Sequence, residues 1–264
     1  MTDFSPDGLM PTDRPQVIPA ATVVIFRRAK DGGAPELLML QRSHTMRFAG
    51  GAAVFPGGRV DPADRDLAAA LMPGEDTEIA EAKIAAIRET LEETGLMIAT
   101  RLSVSVRAAT EGRAMLLETG TLAPVLERFG WELEPHRLTL FAHWCPRHIK
   151  AFDTRFFVFD LGTGAVDVAV DATENTHLFW ASASQALHMA DSGEISVIFP
   201  TRRNLERLAL FASFDEALAQ IAQHRVERIQ PHTDIGPDGE EWLLIPDGQG
   251  YPVLGQALST TKRG

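Results

Sequence analysis

Apolar residues along the chain change period several times, and each change marks an element. From Val17 to Arg27 the β-branched run in PAATVVIF predicts a buried strand. The segment AKDGGAP turns the chain, and Glu36 to Gln41 (ELLMLQ) forms a second strand, so the pair predicts a hairpin. Arg42 to Gly51 is a polar, glycine-rich loop, and Ala52 to Phe55 is a short strand running into Pro56-Gly57-Gly58. Helical spacing then takes over. Asp64 to Leu71 predicts a short helix stopped by Pro73-Gly74. Glu78 to Thr94 is the strongest helix, with Ile84, Ile87 and Leu91 on one stripe and Gly95 placed for a left-handed cap.

Thr110 to Phe129 reads as two short helices. Strands are expected at Leu138 to Trp144, Thr154 to Phe159 and Val166 to Val170, with a shorter one at His177 to Trp180. Ser182 to Ala190, Arg202 to Phe211 and Phe214 to His224 have helical spacing, and the tail adds strand-like pieces at Val226 to Ile229 and Glu241 to Ile245. Residues 1–15, rich in proline and acidic residues, read as a disordered lead-in. Residues 16–264 read as a single α/β domain with helical insertions and a C-terminal extension over 212–264.

Charge and composition narrow the function classes. With 25 Lys and Arg against 36 Asp and Glu, the net charge is −11, which argues against nucleic-acid or membrane-surface binding, since both need basic area. No apolar run approaches the roughly 18 residues of a membrane span, and the N-terminus lacks the pattern of a signal peptide. Cys145 is the only cysteine, so no intrachain disulfide forms and a reducing compartment is the simplest inference. The expectation is a cytoplasmic protein.

Chemistry concentrates in Arg88-Glu89-Thr90-Leu91-Glu92-Glu93-Thr94-Gly95-Leu96. On a helix turning 100° per residue, Glu89, Glu92 and Glu93 share a face distinct from the apolar stripe. Three like charges there destabilise a bare helix. A divalent cation reverses that sign, and hard carboxylate oxygens suit Mg²⁺ or Mn²⁺. Arg88, four residues before Glu92, can pair with it and orient it. The plainer account is a solvated acidic face, which three glutamates alone would favour.

The context tips the balance. Gly58 and Asp64, followed by RETLEETGL, resemble the signature of the Nudix hydrolases, G-x5-E-x7-R-E-U-x-E-E-x-G-U, with U aliphatic. Asp64 stands for the first Glu, Thr90 occupies an aliphatic position, and residues 65–87 separate the halves by 23 residues rather than 7. The insertion holds Pro73-Gly74 and is expected to loop out between strand and helix. Further segments, LLMLQRS, FAGGAAVFPGGRVDPAD, HIKAFDTRFF, Glu174 with Trp180, and Phe199-Pro200-Thr201, resemble the acyl-coenzyme A diphosphatase branch, which also carries an insertion in the box. Arg42, Ser43, Arg47, Gly51 and Phe55 to Gly58 match part of an upstream pattern of coenzyme A-cleaving relatives, from which Met39 and Leu40 depart.

The resemblance implies a Nudix-type α/β/α sandwich with a mixed sheet and extra helices, and a metal-dependent diphosphatase acting on a small-molecule nucleotide diphosphate. Glu89, Glu92 and Glu93 are then the metal ligands, one of them alternatively the proton acceptor, with the Gly58 carbonyl as a further ligand. Arg88 and Asp64 are supporting residues. Glu174 and, less favoured, His143 are the general-base candidates outside the box. Arg42, Arg47, Arg147 and Lys150 are candidate phosphate-binding cations. Coenzyme A or acyl-coenzyme A is the first expected substrate. ADP-ribose, NADH or a nucleotide sugar, or a non-catalytic binding module, are the alternatives. Oligomeric state stays open, a homodimer being common in the family.

Overall fold

A computed structural model describes residues 17–43, 49–146, 151–162 and 175–261. In chain order the strands and helices begin with β1 (Ile18–Arg27), β2 (Glu36–Arg42), β3 (Ala53–Val54) and β4 (Gly57–Arg59). Helices α1 (Pro62–Leu71), α2 (Thr77–Thr94), α3 (Val106–Thr119) and α4 (Leu122–Phe129) follow. Next come β5 (Thr139–Trp144), β6 (Phe152–Asp160), β7 (Asn175–Ser182), α5 (Ala183–Asp191), α6 (Phe199–Leu208) and α7 (Phe214–Ile221). The tail supplies β8 (Arg228–Ile229), β9 (His232–Ile235), β10 (Glu241–Leu244) and β11 (Gly255–Ala257).

β1 and β2 pair antiparallel, as the AKDGGAP turn requires, while β1 lies parallel to β6. The main sheet has the order β3-β2-β1-β6-β5-β8, with β4 joined to β1 and β7 to β2, and is therefore mixed. Strand alternation sorts the side chains onto two faces. Ala21, Val23, Ile25 and Phe157 meet Ala85, Ile87 and Leu91 of α2 on one side. Val24, Phe26, Met39 and Trp144 meet Leu205, Ile221 and Tyr251 on the other. The architecture is an α/β/α sandwich with a mixed sheet.

One expectation needs correction, and another is extended. Residues 64–71 form the expected short helix, within α1, but this part of the insertion does not loop out, since Ala68 packs with Ala80 and Ile84 of α2. An apolar position in the insertion therefore found a partner one helix away, which PADRDLAAAL could not disclose. The tail carries β9 and β11 beside the expected β8 and β10, and Tyr251 enters the core, its hydroxyl accepting from Trp144 Nε1 at 3.2 Å and donating to Asn204 Oδ1 at 2.7 Å. The strand expected at Val166 to Val170 and the lead-in at 1–15 lie outside the described residues.

Candidate active site

Two glycines let the box halves approach. β4 runs antiparallel to β1, with Gly58 opposite Ala21 and Gly57 opposite Thr22. A Cβ on Gly57 would collide with the Ala21 carbonyl, and one on Gly58 would occupy the place of the Glu89 carboxylate. Only glycine admits strand and helix at this distance. α2 presents its acidic face to that gap because its apolar residues are committed elsewhere: Ile87 and Leu91 pack with the sheet and Ile84 with Ala68 of α1, all three without exposed surface.

Arg88 ties the interrupted box together. Its Nε donates to Asp64 Oδ1 at 2.9 Å and its Nη2 to Asp64 Oδ2 at 3.0 Å, a two-point guanidinium–carboxylate pair that fixes orientation. Nη2 also reaches the Arg59 carbonyl at 2.9 Å, and Nη1 lies 3.0 Å from Glu89 and 3.2 Å from Glu92. Burial works against the Arg88 charge, but Asp64 and Glu89 outweigh it and raise its pKa. Asp64 in turn accepts the Asp61 backbone N–H at 2.9 Å and so joins the first turn of α1.

The three glutamates differ in their surroundings. Glu93 is buried, and its Oε2 accepts the Gly57 N–H at 2.9 Å. Burial pushes the Glu89 carboxyl up to about 7, against the pull of Arg88 and with the help of the Glu92 charge. Glu92 is the most exposed of the three and leans on Arg88. Among the described residues no three acidic, histidine or cysteine side chains converge as a metal-holding group. Arg88 Nη1 holds both Glu89 and Glu92, whereas the Gly57 N–H holds Glu93. What remains fits an ion such as Mg²⁺, which keeps several waters and needs one or two carboxylates plus substrate oxygens. Glu89 and Glu93 flank the Gly57-Gly58 backbone, and all these donors are hard oxygens.

Of the other expected residues, Arg42 and His143 are among those described. Arg42 ends β2 opposite Asn175, with its Nε buried and without a hydrogen-bond partner among the described residues. Arg47, Arg147, Lys150 and Glu174 lie outside the described residues. His143 is three strands from Gly58 along one row of the sheet. Its Nε2 sits 2.6 Å from Asp153 Oδ1, and Asp153 also meets Arg228 at 3.2 Å and Arg155 at 3.6 Å. Burial raises the Asp153 carboxyl, but the hydrogen bond with His143 and the nearby Arg228 and Arg155 prevail and lower it. Arg155 also pairs with Glu78 on α2.

Arg113 escaped the sequence reading altogether. From α3 its Nε donates to the Glu92 carbonyl at 2.8 Å and its Nη2 reaches the Glu93 carbonyl at 3.5 Å. No local signal marks such a residue, since its partners lie 21 and 20 positions away. Two cavities, of about 470 and 720 Å³, share Ile195 and are lined by residues of α5, α6, β7 and the tail, with none from 57–96.

No family model matches the chain. It is 25% identical to the acyl-coenzyme A diphosphatase NUDT19 of Gallus gallus, the match covering 82% of this chain and 73% of that protein. The crystal structure of a NUDIX hydrolase from Alicyclobacillus acidocaldarius superposes with a TM-score of 0.67 at 27% identity, covering 78% of this chain and 96% of the other.

Proposed function

We propose that this chain, a Nudix hydrolase in both sequence and fold, hydrolyses the diphosphate bond of coenzyme A or an acyl-coenzyme A with Mg²⁺ or Mn²⁺. The observation that carries this reading is the closure of the interrupted box: Asp64, Arg88, Glu89 and Glu93 meet around Gly57-Gly58 although 23 residues separate its halves. Similarity to an acyl-coenzyme A diphosphatase across most of both chains supports the substrate.

Glu89, Glu93 and the Gly58 carbonyl would hold the cation, with Glu92 nearby. When bound, such an ion neutralises diphosphate charge and acidifies water. Arg88 keeps Glu89 in place through Nη1, and the Gly57 N–H fixes the Glu93 carboxylate. Glu174 is our choice for the group that takes the proton from the attacking water. Arg42, Arg47, Arg147 and Lys150 are assigned to the substrate phosphates, the last two to the 3′-phosphate peculiar to coenzyme A. A single cysteine suits a reducing, cytoplasmic setting, and among the described residues no helix is long and apolar enough to cross a membrane.

The test is a turnover screen with and without Mg²⁺ or Mn²⁺ across coenzyme A, acetyl-coenzyme A, ADP-ribose, NADH and dinucleoside polyphosphates. Coenzyme A or its thioester should lead in kcat/KM. A lead of about tenfold for ADP-ribose or NADH, roughly 1.4 kcal/mol in transition-state stabilisation, would replace the substrate assignment. Absence of metal-dependent turnover throughout would favour a binding module.

A further inference from the structure

The last turn of α2 is an awkward place for two carboxylates. The negative end of the helix dipole lies there, and the final carbonyls have no helical N–H to accept. Gly95 N–H returns to the Leu91 carbonyl at 2.9 Å, which leaves those of Glu92 and Glu93 to other donors. α2 has no basic residue of its own in that turn. Arg113 supplies both missing elements from a different helix, donating to the Glu92 carbonyl through Nε at 2.8 Å and reaching the Glu93 carbonyl through Nη2 at 3.5 Å.

The donor itself is firmly placed. Ala109 and Leu116 of α3 are buried in the same core as Ile87 and Leu91 of α2. Between them Gly112 lies so close to the Trp131 ring that a Cβ would collide with it. α3 therefore cannot slide without moving Arg113. We infer that Arg113 is a positioning residue that clamps the last turn of α2 and thereby sets the Glu93 carboxylate against Gly57. This rests on the preceding reading that Glu93 helps to hold the cation.

Two roles for Arg113 predict opposite signs. Were it merely a positive charge near an acidic site, removing it would tighten cation binding. As a clamp, its removal loosens the carboxylates and weakens binding. Mn²⁺ affinity of the substrate-free protein, read by electron paramagnetic resonance, separates the two. Arg113→Ala should weaken Mn²⁺ binding roughly tenfold and lower kcat more than it changes substrate KM, measured well below the thermal midpoint. Arg113→Lys, with the charge and one reachable donor kept, should recover part of both. If Arg113→Ala does not fold, the Lys and Gln variants carry the comparison, and Gln should bind Mn²⁺ more weakly than Lys. Unchanged or tighter Mn²⁺ binding in variants of a wild type that does bind Mn²⁺ would overturn the clamp alone. A wild type that binds no Mn²⁺ would overturn the reading of the site, and the clamp with it.

Discussion

Glu89 and Glu93 sit one turn apart on α2 yet face different local chemistry. Glu93 takes a backbone N–H from Gly57 at 2.9 Å, and a glutamine there still offers a carbonyl oxygen of the same shape. Glu93→Gln should therefore leave the fold intact while turnover falls by roughly two to three orders of magnitude, through the lost charge at the metal face. Its melting temperature without metal should hold or rise. Near-normal activity in the purified variant would remove Glu93 from the site. Glu89 makes a pH prediction. Its folded pKa of about 7 stands above the ordinary value of 4.5. The neutral form is thus favoured by folding, and the contribution to stability is fully present below about 4.5 and lost as pH rises through about 7. In chelator, the melting temperature of the wild type should fall between those values more steeply than that of Glu89→Gln. Parallel curves would refute the assignment.

Among the elements, α1 is the one whose standing changed most. As a looped-out insertion it would be dispensable, since loop-closure entropy varies slowly with length. Instead Ala68 covers Ala80 and Ile84, Arg65 pairs with Glu81 at 3.1 Å, and Lys83 pairs with Glu75 at 2.6 Å. Replacing residues 65–77 with a short linker, Asp64 retained, should cost about 1–3 kcal/mol from newly exposed apolar surface on α2. Urea unfolding reads this directly, and an unchanged midpoint would return the segment to the status of a loop. Metal binding should suffer as well, because α1 presents Asp64 to Arg88 in its first turn.

For the whole molecule, the tail is part of the core rather than an appendage. Ile229, Ile245 and Tyr251 are buried beside Trp144 and Leu205, and Arg207 lies over the rings of Phe141 and Tyr251 at 4.2 and 5.2 Å. Burial raises the Tyr251 hydroxyl to about 12, so it stays a neutral donor and acceptor between Asn204 and Trp144. Tyr251→Phe strands the Trp144 N–H and the Asn204 carbonyl oxygen away from solvent. A loss of about 1–3 kcal/mol in thermal or denaturant unfolding is expected. A variant as stable as the wild type would mean that relaxation supplies other partners.

Much of this was written locally. Val23 to Phe26 and Leu37 to Leu40 announced strands because short continuous apolar runs bounded by turn residues are local features. Ile84, Ile87, Leu91 and Gly95 announced α2 and its end because one turn of helix brings such residues together. The acidic face of that helix, Gly58 and Arg88 could be read for the same reason. Contacts across the fold had no such signature. That Asp64 would clasp Arg88 from 24 positions away, that Glu92 would meet Arg88 but Glu93 the Gly57 N–H, and that Arg113 would cap their carbonyls all depended on how the elements pack. Sequence periodicity fixes which face of a helix is buried. Only packing against the other elements decides what that face meets.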